Sequence, residues 1–141
     1  MTSQESTVPL ARDVLRGLRI LLVEDDRDIC TSLVTMLTSY GAEVRCVGSS
    51  PEGLVALQEW RLDVLIGDIH MPGEDGFPMM RKVRALAAEQ GGATPAISLT
   101  GLVHPQYEKR ALEAGFQLHL GKPVRGETLV RAIVQVLGTH P

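Results

Sequence analysis

The chain has 141 residues, 44% of them hydrophobic and 22% charged, with 17 acidic against 14 basic side chains and a formal net charge of −3. That composition supports one domain with a substantial core and excludes a disordered chain or a coiled coil. A mildly acidic balance without a basic run argues against direct nucleic-acid binding, and no segment approaches the length of a membrane span, so neither nucleic acid nor membrane is expected as a partner.

Met1 to Gly17 is polar and mixed, without the positive start and apolar centre of an export signal, so a cytoplasmic protein is expected. This stretch reads as a flexible tail or linker in which Leu10 to Arg16 forms at most a short helical turn. Arg19 to Val23 is a continuous apolar run, a buried strand, and it ends on Glu24, Asp25 and Asp26. From Arg27 the period becomes helical, with Ile29, Leu33, Met36 and Leu37 on one stripe and Gly41 as the stop. Glu43 to Val47 predicts a second strand. Ser50 and Pro51 then predict the cap and first position of a helix carrying Leu54 and Leu57. Cys30 and Cys46 have no paired spacing and read as small core hydrophobes in a reducing compartment rather than as a disulfide or metal pair.

Asp63 to Asp68 is a third strand, again continuously apolar, and it delivers a carboxylate where it ends. His70 to Gly76 contains Pro72, Gly73 and Gly76 and predicts a loop. Phe77, Met80, Val83 and Ala87 mark the next helix, closed by Gly91 and Gly92. Ala96 to Thr100 is a fourth strand ending on a hydroxyl. Pro105 opens a helix with Ala111 and Leu112 inward, Leu118 to Gly121 is a fifth strand delivering Lys122 and Pro123, and Leu129, Ile133, Val136 and Leu137 form the stripe of a last helix. Five strands alternating with five helices predict an α/β three-layer sandwich, a five-stranded parallel sheet with helices on both faces.

Ligands in such sheets bind at the carboxyl ends of the strands. Side by side, those ends would gather Glu24, Asp25, Asp68, Thr100 and Lys122. Clustered carboxylates need a counter-charge, and an all-oxygen site suits Mg²⁺. With Mg²⁺ on one side and Lys122 on the other, positive charge would flank Asp68 and stabilise a transferring phosphoryl group, making Asp68 the nucleophile of an aspartyl phosphate. Thr100 can donate its hydroxyl to one phosphoryl oxygen and Lys122 can pair with another. Each residue alone has a plainer reading: the acidic trio as helix caps, Thr100 as an ordinary strand end, Lys122 as a solvated charge. Their joint placement at separate strand ends favours the chemical reading. His104, His119 and His140 lack metal-ligand spacing and read as surface or switch residues.

On these residues the chain resembles the receiver domain of two-component response regulators, over Leu18 to Gly138, and in the stretch Gly115 to Val124 it is most similar to the receiver modules of hybrid histidine kinases. The resemblance implies a flavodoxin-like sheet of order 2-1-3-4-5, with residues 1–17 and 139–141 as tails. It implies that Glu24, Asp25, Asp68 and the main-chain carbonyl of His70 hold Mg²⁺, that Asp68 is the phosphoacceptor, and that Thr100 and Lys122 complete the catalytic set. It further implies a histidine kinase or histidine phosphotransfer domain as phosphodonor, and a signalling domain that catalyses only its own phosphorylation and dephosphorylation. His119 stands where receivers that drive DNA-binding output usually carry Tyr or Phe, and no output domain is expected after Gly138. A monomeric relay is therefore the expectation. A Mg²⁺-dependent phosphohydrolase with an aspartate nucleophile would share Asp68, but that class expects a second Asp two residues on, where this chain has His70.

Overall fold

The computed structural model describes residues 9–71, 74–101 and 105–138, so expectations for residues 1–8, Pro72, Gly73, His104 and residues 139–141 lie outside the described residues. The elements run β1 (Arg19–Val23), α1 (Arg27–Ser39), β2 (Glu43–Val47), α2 (Ser50–Glu59), β3 (Val64–Asp68), β4 (His70–Met71), β5 (Glu74–Asp75), α3 (Gly76–Ala85), β6 (Ala96–Thr100), α4 (Pro105–Ala114), β7 (Leu118–Gly121) and α5 (Gly126–Gly138). A turn of 3₁₀ helix, Ala88–Gln90, separates α3 from β6. The main sheet has five strands in the order β2-β1-β3-β6-β7, which is 2-1-3-4-5 when its own strands are counted, and every pairing in it is parallel. This is the expected fold.

The continuous apolar runs follow from burial on both faces, because successive strand side chains point to opposite sides. Leu21, Val23 and Leu65 join Leu57, Trp60, Phe77, Met80, Val83 and Ala111 in the core between the sheet and α2, α3 and α4. Ile20, Leu22, Ile66 and Ile97 join Leu33, Leu37, Leu129 and Ile133 in the core beneath α1 and α5. Arg84, on α3, crosses to the amino ends of the strands. Its guanidinium donates to the carbonyls of Gly115 (2.7 and 3.0 Å), Gly92 (2.9 Å) and Thr94 (2.7 Å). Gly115 has φ +119, and a Cβ there would come within 2.6 Å of Arg84 Cγ, so the left-handed turn and the arginine require a glycine together.

Several local expectations are corrected. Ser49, not Ser50, caps α2, accepting from the Glu52 amide. His70 to Asp75 is not wholly a loop: β4 and β5 pair antiparallel, His70 with Asp75 and Met71 with Glu74. A side chain on Gly76 would put its Cβ 2.9 Å from Ile69 Cα, so the glycine lets α3 start directly behind the end of β3. Ala87 lies beyond α3 and is exposed. On α4, Ala111 is buried but Leu112 is 47% exposed, because the inward face runs through Ala111 and Ala114 and Leu112 lies about 100° further round the helix from Ala111. Cys30 and Cys46 are joined in a disulfide, with Cα atoms 6.3 Å apart. Their sequence spacing gave no sign of it, since α1 and β2 bring them together only in the folded sheet.

Residues 10–15 also depart from a tail. Leu15 is fully buried in the core under α1 and α5, Leu10 and Val14 pack against the same cluster, and the Leu15 amide donates to the Tyr40 carbonyl at 2.9 Å. The apolar spacing of Leu10, Val14 and Leu15 is too short to show a helical or strand period, which is why the sequence reads as linker there. Leu15→Ala should therefore cost about 2–5 kcal/mol of unfolding free energy, the range for a buried leucine truncation. Urea denaturation of both proteins, compared at equal m-value, measures it; a loss below about 0.5 kcal/mol would mark the segment as a passive tail.

Candidate functional site

The β1 ladder continues one residue past the strand, where the Glu24 amide donates to the Val47 carbonyl at 2.9 Å. That bond fixes Glu24 at the sheet edge with its side chain buried. Asp26 is the cap of α1: its Oδ1 accepts from the amides of Asp28 (2.9 Å) and Ile29 (3.1 Å), while its own amide donates to Glu24 Oε2 at 3.0 Å. Asp25, between them, is exposed. The plain capping reading thus holds for Asp26 and not for its two neighbours.

Asp68 is the last residue of β3 and is only 5% exposed. Lys122 follows β7, and its amide donates to the Thr100 carbonyl at 2.8 Å, which anchors the lysine backbone to the end of β6. From there its ammonium spans two carboxylates, donating to Glu24 Oε1 at 2.7 Å and to Asp68 Oδ2 at 2.8 Å. Thr100, the last residue of β6, is fully buried, and Thr100 and Gly121 are partners in the ladder of β6 and β7. The Lys122–Pro123 peptide is cis. Carboxylate oxygens of Glu24, Asp25 and Asp68 lie within 4.8 Å of one another. His70, whose backbone opens the β4–β5 hairpin, comes two residues after Asp68. Four strand ends therefore converge as the sequence pattern requires.

The electrostatics follow from this crowding. Burial pushes the Glu24 carboxyl above its ordinary value and the Asp68 charge adds to the rise, while the Lys122 ammonium and the Asp26 amide act against it. Burial alone would lower Lys122, but its hydrogen bonds to Asp68 and Glu24, and their charge, outweigh burial and raise it. The lysine is thus held as a cation. Among the described residues one ammonium faces three carboxylates in a set whose donors are all oxygen, with the exposed Asp25 on the solvent side. A hard divalent cation that keeps part of its water shell fits such a set.

Sequence reasoning passed over Ser98. It is fully buried two residues before Thr100 on the same face of β6, and its Oγ lies 2.8 Å from His119 Nδ1 and 3.3 Å from the Leu118 carbonyl. A polar residue inside an apolar strand, in phase with the site hydroxyl, was the available signal.

Comparison with known proteins places these features. The family model described as the response regulator receiver domain matches residues 20–134. A protein of Leptolyngbya boryana, named as an uncharacterized 14.6 kDa protein in the sodA1 3′ region, is 36% identical over 127 residues, 90% of this chain and 95% of the relative. The sensory/regulatory protein RpfC of Xanthomonas campestris is 30% identical over 122 residues, where 86% of this chain spans only 17% of that protein. Among solved structures, the receiver domain of the sensor histidine kinase PA1611 of Pseudomonas aeruginosa, with a magnesium ion coordinated in its active-site cleft, aligns with a TM-score of 0.78 at 31% identity, covering 87% of this chain and 99% of that one. Its sheet, its convergent strand ends and its match over most of its length establish that the chain belongs to the response regulator receiver domain family.

Proposed function

We propose that the chain is the phosphoacceptor of a two-component phosphorelay, taking a phosphoryl group from a phosphohistidine onto Asp68 in a Mg²⁺-dependent reaction. The observation that carries this reading is the Lys122 ammonium held between Glu24 and Asp68 at 2.7 and 2.8 Å. A carboxylate oxygen of Asp68 attacks phosphorus, an O–P bond forms as the N–P bond breaks, and the donor imidazole leaves with the electron pair of that bond. Lys122 turns from the bare carboxylate to a phosphoryl oxygen, and Thr100 donates its hydroxyl to another. Glu24, Asp25, Asp68 and the His70 carbonyl are the residues that would hold Mg²⁺. When bound, the ion supplies charge neutralisation on the phosphoryl oxygens. Hydrolysis of the acyl phosphate resets the site, so the domain acts catalytically only on itself.

The donor is a histidine kinase or histidine phosphotransfer domain. Ile29, Leu33, Leu99, Pro123 and Val124 line a groove of about 480 Å³ that Lys122 also borders, which offers an apolar seat beside the acceptor. We further read the output as a relay. His119 stands on the face shared by β7 and α4, tied to a buried hydroxyl rather than packed as an aromatic ring. A polar ring gains less than a phenyl by moving inward as Thr100 engages phosphate.

Incubation with Mg²⁺ and a small phosphodonor should add one phosphoryl group to the intact mass, and Asp68→Ala or excess EDTA should abolish the addition. Phosphate uptake by Asp68→Ala at the wild-type rate would sink the assignment. The protein should stay monomeric when loaded with Mg²⁺ and a phosphoryl mimic. A stable dimer in sedimentation, lost on changing His119, would overturn the relay reading. Burial pulls His119 below its ordinary value, with the Glu108 charge opposing, so the folded state binds this proton more weakly than the unfolded chain. Its stabilising share is then complete above about pH 6.5 and is lost as pH falls through the lower folded value. Unfolding free energies measured from about pH 7.5 down to about pH 5 should fall less steeply for His119→Gln than for wild type. An equal slope would show that the ring titrates as in solvent.

A further inference from the structure

The disulfide stands apart from the phosphoryl-transfer groups but is wired to both ends of the acidic loop. Cys46 precedes Val47, whose carbonyl accepts the Glu24 amide, and Cys46 is paired in the β1–β2 ladder with Leu22. Cys30, in the first turn of α1, donates its amide to the Asp26 carbonyl at 3.0 Å. The S–S link therefore closes a ring that runs from Glu24 through Val47 and Cys46 to Cys30 and back to Asp26, with Asp25 at its open side. Both cysteines, only half-buried, line a crevice of about 640 Å³ together with Glu24, Asp25, Asp28 and Thr31. A structural disulfide sunk in a core would have no such access. A disulfide that small thiols can reach is more readily exchanged than one sealed in a core.

We propose that Cys30 and Cys46 form a reversible thiol–disulfide site, exchanged with a low-molecular-weight thiol that enters this crevice, and that its redox state sets how firmly the loop from Glu24 to Asp26 is held. The regulatory consequence rests on the reading of that loop as half of the metal and phosphoryl site. In the reductive direction, the thiolate of the small thiol attacks one cystine sulfur, the Cys30–Cys46 bond breaks, and the other cysteine leaves as a thiolate. A second small thiol attacks the mixed disulfide and releases the small disulfide. The net change is one protein disulfide and two small thiols to two protein thiols and one small disulfide, with two electrons and two protons transferred to the protein. In the reduced state α1 is joined to the end of β2 by packing alone, and the first turn of the helix can move away from the sheet edge, carrying Asp26 and Asp25.

The test uses the whole chain, first without metal, equilibrated in buffers of reduced and oxidised glutathione. Free thiols are trapped by alkylation and counted by intact mass, and amide hydrogen exchange is followed over residues 24–30. The expected result is a shift of two alkylation sites within the range of the buffers, with faster exchange of the Asp26 and Cys30 amides in the reduced protein. Mg²⁺ binding should weaken at least about fivefold on reduction, the low end of ordinary coupling between sites, and Mg²⁺ should move the thiol–disulfide midpoint by the same factor toward more reducing buffer. The double variant Cys30→Ser, Cys46→Ser should show the fast exchange in every buffer. Two alkylated cysteines even in fully oxidised buffer, or equal exchange over residues 24–30 in both states, would overturn the proposal. If Mg²⁺ bound in neither state, the metal reading would fail, while thiol count and exchange would still decide the redox site.

Discussion

A single ammonium held between two buried carboxylates is the contact on which the rest of this molecule depends. Lys122 can reach Glu24 and Asp68 only because β1, β3, β6 and β7 run parallel, so that the residues leaving their carboxyl ends arrive at one edge. Such a pair is weak evidence of stability, since desolvating three charges offsets much of their attraction. Its value lies in readiness. The cation is already held beside both carboxylates, and no solvent need reorganise to place it there.

That arrangement explains where the structure concentrates its rigidity. The strands behind the site are sealed by two separate cores, one on each face, while the groups in front of it sit on short connections after β1, β3 and β7. Asp26 is bound up in capping α1 and Glu24 in both the ladder and the lysine, leaving Asp25 exposed to solvent. A carboxylate cluster of this kind opposes folding on its own, and the two cores supply the surplus that tolerates it.

The sheet and the site were legible because both are written in strand runs. Continuous Val, Leu and Ile stretches marked β1, β3 and β6 as doubly covered, and the residue after or at each run named Glu24, Asp68 and Thr100 without any contact information. What the sequence hid was made by long-range geometry. Leu15 carries no period of its own and is buried only because α1 and α5 leave a place for it. Cys30 and Cys46 meet through a parallel pairing that spacing cannot express, and Ser98 gains its meaning from His119 on the neighbouring strand. Leu112 shows the opposite error, in which hydrophobic character was taken for burial although Ala111 occupies the inward position.

The arginine at the far end of the sheet gives the domain a fixed pivot. Arg84 gathers the carbonyls of Gly92, Thr94 and Gly115, and so clamps the entrance to β6 and the turn before β7 to α3. Gln117, beside it, receives the Ala96 amide at 2.6 Å and extends the clamp across both strands. Asp68, Thr100 and Lys122 lie at the opposite ends of these same strands. A pull on Lys122 at the carboxyl rim is therefore borne by strands fastened at their other end, as a lever is held at its fulcrum.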